Sequence, residues 1–390
     1  VRILLYSGKG GVGKTSVAGA TAVHLAESGQ RTLIMSVDPA HSLADSFDFE
    51  SALFHGGTSE PVKVAERLYL QEVNINHEMK RHWADISTYI TSLLQTTGLS
   101  GVEADEMAIL SAMMYVNQYR KSGDFDVIVL DCAPTAESLR FISLPSTLDW
   151  YMKHVFGFQR SLLKAARPVL NRLSPVDLPP DSYFKNVQDL FNKIEGIDTV
   201  LEDPQLTSVR LVTNAEKMVL RETQRAFVYF TLHGLTVDTI VVNRLLPESV
   251  QDTFFSGWRD SQRKTLEEII TYFDPVPTKT VPLFQQEVLG YGRLKFMAEQ
   301  LYPNGEDPSL VTRDTPPFSF VRTADHYEVR LQMPFAVKGE VSVFKKHDEL
   351  VIEVGTIRRH IGLPTTMTSL VPVKAQLNER MLVVEMKESA

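Results

Sequence analysis

A single cysteine, Cys132, stands in 390 residues. One thiol excludes an internal disulfide, and it excludes a cysteine-built zinc cage within one subunit. Long apolar runs are missing too: none approaches the ~20 residues of a membrane-spanning helix. Positive charge is not in excess. Forty Lys and Arg face 48 Asp and Glu, a formal net charge of −8, which argues against nucleic acid as a partner and fits ordinary solubility. There is no internal repeat and no low-complexity tract. The chain opens directly on an apolar run, so no signal peptide is expected. The expected compartment is the cytoplasm, or the plastid stroma if a transit segment has been removed. What remains is an ordinary globular composition, 43% hydrophobic and 23% charged. The length suggests about two or three domains.

The most informative stretch is Ser7-Gly8-Lys9-Gly10-Gly11-Val12-Gly13-Lys14-Thr15-Ser16. Gly8, four residues, then Gly13-Lys14-Thr15 fit the phosphate-loop pattern. The apolar run Ile3-Leu4-Leu5-Tyr6 precedes it as a buried strand would, and Val17, Thr21 and Leu25 follow at helical spacing. Strand, glycine loop and helix are the context that separates a phosphate loop from an ordinary Gly-rich turn. The glycines let backbone N–H groups turn inward around phosphates, and the helix N-terminus adds positive dipole. Lys14 is placed to reach the β- and γ-phosphates, and the Thr15 hydroxyl to ligate magnesium. ATP and Mg2+ are the expected cofactors.

Residues 32–37, 125–130, 209–213, 239–243 and 278–281 read as further buried strands. Their alternation with helical stretches predicts an α/β fold, a P-loop NTPase with a mostly parallel sheet. Ligands in such sheets bind beyond the carboxyl ends of the strands, where Asp38, Asp131 and Asn243 stand. Between the strands lie two amphipathic segments. Met79, Trp83, Ile86, Ile90 and Leu93 recur at helical steps, as do Leu148, Met152, Val155, Phe158 and Leu162. Residues 106–116 are Met-rich, with Met107, Met113 and Met114. An inserted helical subdomain is expected at about 74–122 and 141–206. Each apolar face reads first as core. The competing reading is an adaptable groove for an apolar client, lined by Met79, Trp83, Ile86, Ile90, Leu93, Met107, Met113, Met114, Val155, Phe158 and Leu162.

Pro303-Asn304-Gly305-Glu306-Asp307-Pro308 and Pro316-Pro317 have linker composition. Beyond them the apolar period becomes two: Tyr327, Val329, Leu331 and Met333; then Leu350, Ile352 and Val354; then Leu382, Val384 and Met386. That predicts an antiparallel all-β domain over 313–390, following an ATPase domain over 1–312.

Hydrolysis needs an aligned water, a metal and charge stabilisation on the transferred phosphoryl group. Asp131 is the candidate for the magnesium shell, acting through water, and Asp38 for positioning or activating the attacking water. The plain alternative for each is a turn or helix-cap aspartate. Lys9 is not required by a phosphate loop. Its presence resembles the deviant loop of the septum-site and chromosome-partitioning ATPases, nitrogenase iron protein and arsenite-pump ATPases. That resemblance implies a catalytic lysine reaching across a two-fold interface to the partner's nucleotide, hence a homodimer.

The resemblance sharpens at two segments. Asp38-Pro39-Ala40-His41-Ser42-Leu43-Ala44-Asp45 resembles switch I of the arsenite-pump and tail-anchored-protein targeting ATPases. Residues 131–145, from Asp131-Cys132-Ala133-Pro134-Thr135 to Leu144-Pro145, resemble their switch II, with Cys132 where Thr is usual and Ala136 where Gly is usual. Val241-Val242-Asn243-Arg244 resembles the segment whose asparagine contacts adenine, and Val281-Pro282-Leu283 the loop over the base. The resemblance implies nucleotide contacts for Asn243, Pro282 and Leu283. From about Phe318 the chain resembles the α-crystallin domain of small heat-shock proteins, carried by Leu331-Gln332-Met333-Pro334 and Glu349-Leu350-Val351-Ile352-Glu353-Val354-Gly355. The last strand ends the chain without an Ile-x-Ile/Val tail, so no large shell is expected. Such a fusion resembles the cyanobacterial and plastid-type branch of the targeting ATPases.

Arsenite pumps capture the metalloid through several cysteines, and the eukaryotic targeting factor shares zinc through a Cys-x-x-Cys pair. Residues 252–258 hold no cysteine, so no zinc is expected. The leading expectation is a nucleotide-switched ATPase homodimer that binds and releases a hydrophobic helix or other apolar client, with a membrane receptor if one exists. The alternatives are an ATPase subunit driving arsenite or anion export, and an ATP-fixed scaffold that recruits partners through its β domain.

Overall fold

The computed structural model describes residues 1–36, 42–48, 60–73, 78, 104–132, 181–335, 339–355, 357–378 and 380–388. In chain order its elements are β1 (Arg2–Ser7), α1 (Lys14–Glu27), β2 (Thr32–Ser36), α2 (Ser42–Ser46), β3 (Val62–Ala65), β4 (Leu68–Glu72), α3 (Ala104–Ser122), β5 (Val127–Asp131), α4 (Asp181–Ile194) and α5 (Ile197–Glu202). Then follow β6 (Thr207–Asn214), α6 (Lys217–Leu232), β7 (Val237–Leu245), α7 (Thr253–Phe273), β8 (Thr278–Pro282) and α8 (Tyr291–Leu301). The rest is all strand: β9 (Phe318–Arg322), β10 (Tyr327–Gln332), β11 (Val341–Lys346), β12 (Glu349–Val354), β13 (Ile357–Gly362), β14 (Leu370–Asn378) and β15 (Met381–Glu388). Contacts divide the chain into two compact units. One comprises Val1–Arg2, Ala18–Val200 and Val288–Phe296; the other comprises Ile3–Val17, Leu201–Glu287 and Met297–Ala390. No helix among the described residues is long and apolar enough to cross a membrane.

In the first unit, strands lie in the order β3-β4-β2-β5. β2 runs parallel to both neighbours, with Ser36 level with Glu72 on one side and Asp131 on the other. β2 and β5 are buried at every position, as apolar strands covered on both faces must be. β3 is antiparallel to β4. α3 turns Ile109, Leu110, Met113 and Val116 into the core and packs on α4; the Asn117 Nδ2 donates to the carbonyls of Lys193 in the last turn of α4 and of Glu195 just beyond it. Ahead of β5, the Asp126 carboxylate accepts from the Arg31 backbone N–H at 2.7 Å, which with the Arg31 guanidinium holds its carboxyl below the usual range.

In the second unit, β1, β6, β7 and β8 lie side by side in that order, all parallel. A charged cluster crosses this array inside the core. Arg210 on β6 donates through Nε to Asp238 Oδ1 on β7 at 3.2 Å, through Nη1 to Tyr6 Oη on β1 at 3.1 Å, and through Nη2 to the Pro308 carbonyl at 2.5 Å. Burial works against the guanidinium charge, but Tyr6, Asp238 and Tyr302 outweigh it and hold Arg210 protonated.

The C-terminal strands form two sheets, β14-β15-β10-β9 and β11-β12-β13. Val329, Leu331, Leu350, Ile352, Leu382, Val384 and Met386 meet in one core, which also takes Val228 and Leu232 from α6. This is the α/β fold with a separate all-β sandwich that the apolar periods foretold. The β domain is thus seated on α6 by shared apolar burial, about 25 cal/mol for each Å² removed from water. Polar ties add to the seat. Arg359 on β13 reaches Glu202 at 3.3 Å and His233 Nδ1 at 3.3 Å, with His233 stacked on Tyr229.

Candidate nucleotide-binding site

The loop after β1 has a geometry that side chains forbid. Gly13 has φ +91°, and a Cβ there would lie 2.4 Å from Asn243 Nδ2. A Cβ on Gly8 would meet the Val212 carbonyl oxygen at 2.1 Å. The loop therefore lies against β6 and β7 closely enough that only glycine fits. The first turn of α1 closes with Val17 N–H donating to Gly13 O at 3.1 Å, which puts the amides of Lys14, Thr15 and Ser16 at the open end of the helix. Lys14 folds back over the loop, its Nζ 3.3 Å from the Lys9 carbonyl. Glycine cradle, helix end and buried lysine together fit a triphosphate.

Asn243, at the end of β7, is built into the loop. Its Nδ2 donates to Val12 O and its Oδ1 accepts from Arg244 N–H, both at 2.9 Å. One N–H and one lone pair are left for a base. Arg244 has φ +59° and donates through Nη1 to Gly11 O at 2.8 Å. Sequence reasoning passed over Arg244, although it follows Asn243 directly. Its role depends on a left-handed backbone that no residue pattern announces. On the neighbouring strand, Pro282 lies level with Leu245, and Leu283 N–H donates to Leu245 O at 2.7 Å, leaving the Leu283 side chain exposed. Asn243, Pro282 and Leu283 thus lie toward the carboxyl ends of β7 and β8.

Lys9 extends from the exposed side of the loop toward Glu222 on α6, 3.8 Å away. Glu222 is a second residue missed in the sequence, because its pairing joins positions far apart in the chain. Asp131 closes β5 in the first unit and is buried, followed by buried Cys132. Asp38 lies outside the described residues, as do Met79, Trp83, Ile86, Ile90, Leu93, Val155, Phe158 and Leu162. Met107 falls within α3, with its side chain outside the description. Met113 and Met114 are buried, 0% and 8% exposed, so they fill core in this state and offer no open groove surface.

Residues 1–303 match the family described as anion-transporting ATPase, and residues 324–386 match an HSP20-like domain found in ArsA. The "Putative arsenical pump-driving ATPase 1" of Aquifex aeolicus is 40% identical over 396 residues, covering 99% of this chain and 100% of that protein. A relative in Chlorobaculum tepidum, also named for an arsenical pump, is 40% identical over 98% of this chain and 95% of its own length. ATPase GET3C of Arabidopsis thaliana is 28% identical over 76% of this chain and 81% of its own. Family match and phosphate-loop geometry agree, and both domains are accounted for: the chain belongs to the anion-transporting ATPase family, as a P-loop ATPase that carries an HSP20-like domain at its C-terminal end.

Proposed function

We propose that this protein is the ATPase subunit of an anion-export system. The observation that carries the proposal is the 40% identity, along nearly the whole chain, to a protein named as arsenical pump-driving. Gly8–Gly13 would hold the phosphates through backbone N–H groups, with Lys14 at the β- and γ-phosphates. Thr15 and, through water, Asp131 would hold magnesium; Asp38 would align the water. Bound Mg·ATP would supply the transferable phosphoryl group and the metal charge that eases its departure. For Lys9 to reach a second copy it must leave Glu222, so the proposed homodimer exchanges a half-buried pair within one chain for a contact between chains. A lone buried thiol suits an oxyanion held by hydrogen bonds and charge better than a metalloid held by several thiolates. The test is steady-state ATP hydrolysis with and without arsenate, arsenite and antimonite. Stimulation of several-fold, absent in Lys14→Ala, is expected; turnover indifferent to all three rejects the export reading.

A second reading has its own support. The HSP20-like domain and the relation to GET3C favour an ATPase that binds and releases an apolar client. It requires ATP to change the affinity for a transmembrane-like peptide, measured by fluorescence anisotropy. Equal affinity in both nucleotide states removes it. Strong, ATP-independent recruitment through residues 318–390 would instead favour a scaffold. The cyanobacterial and plastid-type branch rests on the fused β domain alone and forms no part of the proposal.

A further inference from the structure

A pocket of about 280 Å³ opens where the C-terminal end of α7 faces the ends of β10, β14 and β15. Phe227, Tyr272 and Phe273 supply aromatic wall, and Pro334 adds apolar surface. The wall is firm. Phe335 packs edge-on against Phe227 and Phe273, with ring centres 5.8 and 5.2 Å apart. Two guanidinium groups line the same space, Arg313 and Arg380.

Neither arginine forms an ion pair with a carboxylate among the described residues. Arg313 is half-buried and, among the described residues, donates only through Nη1, to the Val237 carbonyl at 3.1 Å. Burial holds its pKa below the usual arginine value, and the only opposing charge is that of Asp238. That carboxylate already pairs with Arg210. Arg380 donates to the carbonyls of Thr271 and Asp274 at the end of α7. With five donors on each guanidinium, both arginines keep N–H groups for a further acceptor. Two cations and the single lining carboxylate, Asp274, leave one net positive charge in a pocket walled in part by three aromatic rings.

We infer that this pocket binds a small apolar carboxylate, its ring or short hydrocarbon body against Phe227, Tyr272 and Phe273 and its carboxylate on Arg313 and Arg380. A guanidinium fork matches a carboxylate in shape, and partial desolvation strengthens the match. The volume lies just below the usual range of small-molecule sites, about 300–1,000 Å³, and so admits no more than a single ring or a short chain. Phe227, Tyr272 and Phe273 belong to the ATPase part of the chain, whereas Pro334 and Arg380 belong to the β domain. A bound acid therefore stabilises the seated β domain. The carboxylate has two sources, a free acid or the C-terminal residue of a peptide.

The test is calorimetric titration of the full chain with 3-phenylpropionate, its amide, and N-acetyl-Ala-Phe with a free carboxylate. The acid is expected to bind and to raise the melting temperature. The amide is expected to bind about tenfold more weakly, the scale of one charge-assisted hydrogen bond. Arg313→Gln and Arg380→Gln are expected to weaken the acid by a similar factor, and Trp258→Ala, on the exposed face of α7, to change nothing. Binding of 3-phenylpropionate alone supports a free acid as the occupant, and binding of N-acetyl-Ala-Phe as well supports a peptide terminus. No binding of either carboxylate, or equal binding of acid and amide to the unaltered protein, overturns the inference.

Discussion

Gly13 and Gly11 share a positive φ, +91° and +83°, but not a neighbourhood: a Cβ on Gly11 meets nothing within 4 Å. Gly11→Ala therefore costs only the left-handed strain, roughly 1–2 kcal/mol. Gly13→Ala must also displace the Asn243 carboxamide from Val12. Equilibrium dialysis with labelled ATP should show a loss of about tenfold or more for Gly13→Ala and a clearly smaller one for Gly11→Ala. Equal losses would mean that contact with Asn243 is irrelevant to the loop. Arg210 and Asp238 define a second residue-scale expectation. Arg210→Met strands a carboxylate inside the sheet and should cost about 3–5 kcal/mol in urea unfolding, whereas Arg210→Met with Asp238→Leu should recover much of it. A double variant no more stable than the single one would show that Tyr6 and Pro308, not the ion pair, set the value of the cluster.

At the scale of elements, α6 joins two regions, with Glu222 toward the phosphate loop and Val228, Leu232 and His233 toward the β domain. Burial, aided by Arg359, pushes the His233 imidazole from about 6.5 down to about 3. The unfolded chain binds a proton below about pH 6.5 that the folded chain refuses until about pH 3. Stability is thus full above pH 6.5 and falls as the pH drops toward 3, by about 2 kcal/mol between pH 7 and pH 5 for one such group. Urea midpoints of His233→Gln should lose this portion of the pH dependence; an unchanged slope would assign it elsewhere. His326 has the opposite sign. Glu328 and Asp325 raise its pKa, so its contribution is present at low pH and is lost as the pH rises. Which elements were legible follows from the same physics. β2 and β5 have apolar centres, Leu33-Ile34-Met35 and Val127-Ile128-Val129-Leu130, because both faces are covered, and β10 and β15 alternate because one face is. β3 is four residues long and half-exposed, so it left no period to read. α7 turns Thr265, Ile269 and Phe273 inward as a narrow stripe at steps of four, while Phe254 and Trp258 stand in solvent, so its apolar residues do not all mark the buried face. The phosphate loop was legible because backbone chemistry dictates its glycines; Arg244, Glu222 and the partners of Arg210 were not, since each pairing depends on how the strands fold together.

For the whole molecule, the HSP20-like domain covers apolar surface of the ATPase part. A chain ending at residue 312 would expose Val228 and Leu232, which the full chain buries in the β-domain core. Such a truncation should bind 8-anilinonaphthalene-1-sulfonate and associate, as uncovered patches do; a monodisperse product without dye binding would refute that seat. The segment between the domains is fastened as well. Pro308 is held by Arg210, Arg313 by the Val237 carbonyl, and Pro317 O accepts from Gln332 N–H at 2.8 Å, so only residues 314–316 span the gap between these ties. Three residues reach at most about 11 Å. Trading β domains between two copies needs slack that this tether lacks, and gaining it means unmaking bonds to a buried cation. Refolding at high concentration should accordingly yield no interlocked, domain-swapped species on size exclusion, and a longer leash, made by inserting glycine and serine after Arg313, should be what lets them form.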